Sequence, residues 1–140
     1  MRLIRALLPA VAAVALACGA SSAPGGGEPR LAADDSAVHQ QISAGQGGAE
    51  VTFNATVVAD PVQVGSHEHL NVKTPAGDVL EVDHNTSLAT AVPAHAGDHL
   101  VIHGQLYVDP GKAGVHCTHH HTSRGCPQPG WIELAGTYFE

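Results

Sequence analysis

A chain of 140 residues with thirteen Asp and Glu against six Lys and Arg carries a formal charge of −7 and has room for one small domain. That balance argues against a polyanionic partner. Nucleic-acid binding leaves a basic stripe, and beyond Arg5 the only cations are Arg30, Lys73, Lys112 and Arg124, scattered along the chain. The eleven histidines qualify this acidity, because a cluster of them charging below about pH 6.5 reverses the local sign.

The chain opens with Arg2 and Arg5, an apolar run from Ala6 to Leu16, and then Ala17-Cys18. This is the pattern of an export signal over 1–17, too short to span a membrane. A cysteine at that place also suits a bacterial lipoprotein signal. The Gly-, Ser-, Ala- and Pro-rich stretch over 18–30 reads as a flexible tether, so lipidation of Cys18 is expected ahead of plain secretion. The expected location is the bacterial cell envelope, with membrane contact only through that anchor, or else the periplasm or medium.

Over 31–48 a short helix and a linker are expected. Leu31, Val38 and Ile42 mark an apolar face between Leu31 and Ala44, Asp34 and Asp35 stand near its start, and Gly45 follows its end. From residue 49 the period becomes two. Val51, Phe53, Ala55 and Val57 alternate with polar residues in a first strand, which Asp60-Pro61 ends. Ser66 to Lys73 and Val79 to His84 read as a hairpin about the turn Thr74-Pro75-Ala76-Gly77. The stretch from Asn85 to Gly97 lacks that period and is expected to hold a helical turn around Thr86 to Ala91. A fourth strand follows from Gly97-Asp98 through Tyr107, then Val115 to Thr118, then one or two strands within Trp131 to Phe139. The expected fold over 49–140 is all-β, a small OB-like barrel of five or six strands with a short N-terminal helix and a helical turn between the third and fourth strands. A split sandwich is the alternative.

The chemistry concentrates in GVHCTHHHTSRGCPQPGWI, from Gly114 to Ile132. Cys117 and Cys126 form an even pair once Cys18 is acylated, and in an oxidising compartment they are expected to form a disulfide. The other reading places both thiolates on zinc beside His116 and His119. His67 and His69 share one face of the second strand, and His84 ends the third. If the strand bearing His116 lies beside either, His67, His84, His116 and His119 are candidate ligands for a divalent transition metal, zinc first. Glu68 and Asp83 are the candidates to orient an imidazole or act as base. His120 and His121 are expected in solvent, and His95, His99 and His103 on the surface. No nucleophile elbow or phosphate-binding glycine loop is present.

The motifs Gly65-Ser66-His67-Glu68, His84-Asn85 with Leu88, Gly97-Asp98, Gly104 with Tyr107, Gly114-Val115-His116, Thr118-His119, Gly130-Trp131-Ile132 and Gly136 with Tyr138 together carry a resemblance. In these residues the chain resembles a family of small exported bacterial proteins catalogued only as a domain of unknown function. Leu70 stands where that family usually has an aromatic residue, and Cys117 where it commonly has tryptophan. The resemblance singles out His67, His84, His116 and His119 among the histidines and implies no activity. Three functions follow as expectations: an envelope binding module whose histidine face holds a metal ion or small ligand; a zinc hydrolase with three histidine ligands and a carboxylate base; or a structural envelope protein.

Overall fold

The computed structural model describes residues 30–140, so the expected signal over 1–17, Cys18 and the tether as far as residue 29 lie outside the described residues. Alternation of apolar and polar side chains builds the rest. The elements are α1 (Asp35–Ser43), β1 (Glu50–Val57), β2 (Val62–Val64), β3 (His67–Lys73), β4 (Val79–Asn85), β5 (His99–Asp109), β6 (Lys112–His116), β7 (Trp131–Leu134) and β8 (Thr137–Phe139).

Five strands close a ring in the order β1-β3-β4-β6-β5, with β5 pairing back to β1. The β4–β6 pair is parallel and the other four are antiparallel. This is the Greek-key closure of an OB-like barrel, as the sequence leads one to expect. β2 adds to the edge of β3, and β7 with β8 extend the sheet from β5. β5 is long enough to serve β6 over Gln105–Asp109 and β7 over Leu100–His103 on the same edge.

The inward side chains are the ones that alternation selects: Phe53, Val57, Leu70, Val72, Leu80, Val82, Leu100, Ile102, Leu106, Val115 and Ile132, all at most 2% exposed. Each such side chain contributes about 1.5–3 kcal/mol when taken from water. Gly104 stays glycine because a Cβ there would stand 2.5 Å from the His116 carbonyl oxygen.

α1 begins later than its apolar spacing suggests. Asp34 caps it by accepting the Ala37 N–H (3.0 Å), and Leu31 is left outside, 62% exposed. Val38 is fully buried and Ile42 packs beside it, so helix and strands share one core. The Asp35 carboxylate accepts from the Asn54 backbone and amide, and the Asp34 N–H donates to the Thr52 carbonyl, fixing α1 against β1. After β4 the chain makes the expected single helical turn, with Leu88 and Ala89 N–H both on the Asn85 carbonyl at 3.1 Å. The chain that follows has no regular structure and buries Val92 and Ala94, with the Ala94 N–H on the Val92 carbonyl at 2.7 Å.

Two further details depart from the sequence reading. β6 ends at His116 rather than Thr118, because Cys117 takes a left-handed backbone (φ 58°) and turns the chain off the sheet. The three-residue strand β2, directly after Pro61, carries no recognisable period.

Candidate functional site

On β3 the alternation sends Glu68, Leu70 and Val72 inward and His67, His69 and Asn71 outward. On β4 it sends Leu80, Val82 and His84 inward and Glu81, Asp83 and Asn85 outward. The hairpin register then sets His69 opposite Asp83 and Asn71 opposite Glu81. Among the described residues, His69, Glu81 and Asp83 form the one set of three or more metal-capable side chains whose ligand atoms all lie within 4.8 Å of one another. His69 Nδ1 stands 3.1 Å from Asp83 Oδ1 and 3.4 Å from Glu81 Oε1.

The neighbours on β5 and β6 complete this face. Lys112 donates to Glu81 Oε1 at 2.6 Å and holds the Glu81 carboxyl below its ordinary range. The Tyr107 hydroxyl donates to Asp83 Oδ2 at 3.1 Å. Burial, then the Asp83 charge, pushes the Tyr107 phenol up to about 12, so it remains a donor at neutral pH. Gly114 makes room for that ring, since a Cβ there would overlap the Tyr107 hydroxyl. Asp83 Oδ1 is inaccessible to solvent, and His69 Nδ1 at 3.1 Å is its one polar neighbour.

The expected quartet His67, His84, His116 and His119 does not converge as a ligand set. His84 is the clearest correction. It points into the barrel, fully buried, where Nε2–H donates to the Thr90 carbonyl (3.0 Å) and Nδ1 accepts from the Thr118 hydroxyl (2.9 Å). No lone pair is left for a metal, and burial holds its pKa below the ordinary imidazole value. Glu68 is its inward cross-strand partner. Glu68 Oε2 accepts the Val92 N–H (2.8 Å), so this carboxylate anchors the 86–98 loop rather than orienting an outer imidazole, and burial raises its pKa. Asp83, the other carboxylate candidate, does lie beside a histidine, namely His69.

Cys117 and Cys126 form the expected disulfide, with Cα atoms 5.3 Å apart. The zinc-thiolate alternative falls with it. Behind Cys117, Thr118 is fully buried and His119 is 4% exposed, while His120 and His121 lie in solvent as expected. His116 bonds Gln105 Oε1 through Nε2 at 3.0 Å, and His67 Nδ1 lies 3.3 Å from the Ser66 hydroxyl.

His103 corrects the expectation of a surface residue. It does face outward, but β7 covers it: Trp131 is its register partner and stacks on its ring at 5.7 Å, and its Nδ1 bonds the Thr52 hydroxyl at 2.8 Å. A groove of about 700 Å³ lies away from all these histidines, among Asn54, Thr56, Lys73, Pro75, Val101 and Glu133. The one histidine on it, His99, bonds Thr56.

Sequence reasoning named Asp83 as a carboxylate candidate and set His69 on the face of His67, but it left His69 out of the ligand set and missed Glu81. The signal available was the hairpin turn: counting back from Thr74-Pro75-Ala76-Gly77 in antiparallel register brings Glu81 to the same patch. No protein-family model and no curated protein matches this chain.

Proposed function

We propose that this chain is an exported binding module of the bacterial cell envelope whose barrel presents a cation-binding face on β3 and β4. The observation that carries this reading is the meeting of His69, Glu81 and Asp83 on the outer face. One imidazole and two carboxylates suit a divalent transition metal ion, with zinc first. Glu81 Oε2 remains for the ion while Lys112 holds Oε1, and Asp83 Oδ1 is already without another partner. The outward surface of the second and third ring strands is also where OB barrels take their ligands, a fold-level analogy that adds weight. Export and anchoring rest on the sequence before residue 30. The acidic balance agrees with a cation rather than a nucleic acid as ligand.

The hydrolytic alternative is less well supported, because His84 and Glu68 are both engaged by hydrogen bonds inside the barrel. Calorimetric titration of the untagged chain with zinc tests the reading. His120→Ala and His121→Ala are included to remove the exposed imidazoles, which chelate metal in any context. One equivalent should bind, and His69→Ala or Asp83→Asn should weaken binding by about 100-fold. Unchanged affinity in both variants would overturn it.

A further inference from the structure

The groove of about 700 Å³ takes no part in the cation face, and its two walls differ in charge. Its floor is the outward surface of β1 and β5, where Asn54 stands beside Val101 and Thr56 beside His99 in register. One wall is the start of the turn after β3, Lys73 to Pro75, and the other is the end of β7 with Glu133 and Ala135. Each wall is held by its own hydrogen bonds. The Thr74 N–H donates to the Asp78 carbonyl at 2.9 Å, and its hydroxyl donates to the Asp78 carboxylate at 3.1 Å. Ala135 and Gly136 both take left-handed backbone (φ 49° and 83°) and close β7 onto β8 as a two-residue turn, with the Gly136 N–H donating to Glu133 Oε1 at 2.7 Å.

Charge stands at the two ends of this groove and apolar surface between them. Lys73 is exposed, and its ammonium meets no carboxylate or other acceptor among the described residues. Glu133 is half-buried, and with Oε1 committed to the turn its Oε2 is left. On the floor, His99 Nδ1 bonds the Thr56 hydroxyl and the Asn54 amide nitrogen donates to Asp35, which leaves His99 Nε2 and Asn54 Oδ1. Val101, Leu100 and Pro75 supply the apolar part. A concavity of this size, mostly apolar with a few polar groups that fix orientation, has the form of a small-molecule site.

We propose that the groove binds a short zwitterionic peptide of two or three apolar residues, with its terminal carboxylate on Lys73 and its terminal ammonium on Glu133. A ligand of one charge leaves the opposite wall unanswered, and an uncharged ligand leaves both, so charge complementarity selects the zwitterion. Register sets its length. Lys73 pairs with Thr56, Thr56 with His99, and Val101 with Glu133, so the two charges are carried on strands three steps apart, from β3 through β1 and β5 to β7. At about 4.7–4.9 Å per step that is about 14 Å between backbones. The two side chains reach in from either end, and two or three extended residues of about 3.3–3.6 Å each cover what remains. None of His69, Glu81 and Asp83 lines the groove, so the inference does not depend on the cation reading.

The test titrates the full untagged chain, ¹⁵N-labelled, with alanyl-leucyl-alanine and with the same tripeptide acetylated at its N-terminus, amidated at its C-terminus, or both. The free peptide should shift the amide resonances of Asn54, Thr56, Val101 and Glu133 to saturation, and each single block should weaken binding about 3- to 10-fold. Lys73→Ala should weaken the free and acetylated peptides by that factor and leave the amidated one unchanged. Glu133→Gln should weaken the free and amidated peptides and leave the acetylated one unchanged. Lys73 is exposed and glutamine keeps an acceptor for the Gly136 N–H, so both variants should fold, which an unchanged spectrum away from the groove verifies. No shift at about 10 mM peptide, or shifts centred elsewhere, would overturn the inference. Equal binding of the free and doubly blocked peptides would overturn it too, by showing an apolar surface only, as would the opposite pairing of blocks and variants.

Discussion

Replacing Cys117 and Cys126 together by alanine tests how the histidine loop is held. The bridge joins residues nine apart. In the chain-entropy treatment, opening so short a loop returns freedom mainly to the unfolded chain and costs about 2.7 kcal/mol at 25 °C. For a domain of about 110 residues, where 1 kcal/mol moves the midpoint by about 4–8 °C, the melting temperature should fall by about 10–20 °C. The folded loop has independent supports, Gly130 N–H on the His119 carbonyl and Ser123 N–H on the Cys126 carbonyl, so the native circular dichroism spectrum should persist below the new midpoint. Thermal melts of the parent, the reduced parent and the double variant provide the assay, with non-reducing mass analysis to verify the bridge in the parent. A fall of less than about 3 °C from a fully bridged parent would refute the reasoning, since chain entropy would then contribute little.

Replacing His84 by leucine should destabilise the barrel by about 2–4 kcal/mol in urea denaturation, because the Thr118 hydroxyl and Thr90 carbonyl lose their buried partner; a change under 1 kcal/mol would contradict that role. Burial lowers the folded pKa of His84, His103 and His119 below the ordinary value of 6.5, so the unfolded chain takes up more protons. Their contribution to stability is complete above that value and is lost as pH falls from about 6.5 through the lower folded values. The raised carboxyls of Glu50 and Glu68 act in the opposite sense, contributing below 4.5 and weakening as pH rises through their folded values. Melts at pH 7 and pH 5.5 should therefore show the lower midpoint in acid, and an equal or higher one would count against the buried imidazoles. In a Tyr138→Phe background, Gly114→Ala should displace the Tyr107 ring from Asp83, so the phenolate absorbance should titrate well below the value of about 12.

The barrel was legible because its information is local. Val51, Phe53, Ala55 and Val57 declare a face within one strand, and Thr74 to Gly77 declare the hairpin. The site was only half legible because alternation gives the face of a side chain and not its neighbour across the sheet. His69 and Asp83 were visible as outward polar residues, but their meeting with Glu81 depends on register. His103 shows the same limit, for it points outward as its period demands and is buried because β7 returns from 28 residues downstream in sequence. The turn at Cys117 was hidden for another reason: left-handed backbone at a non-glycine residue has no composition to announce it, and it carries Thr118 and His119 inward where a continuing strand would not.

β6 and β7 share one edge of β5, so the chain leaves the sheet at Cys117 and rejoins it at Trp131 in nearly the same place, with Gly130 pressed against the Cys117 carbonyl. The stretch over 120–125, beyond the buried Thr118 and His119 and inside the disulfide, therefore behaves as a cassette between two docked ends. Doubling the length of a flexible loop adds only about 0.6 kcal/mol of closure cost, so descendants of this chain can lengthen, shorten or recompose the segment while the five-strand ring stays in register. Gly104, Gly130 and the run of β5 between them are the parts that such drift must leave alone, because they receive whatever the cassette presents.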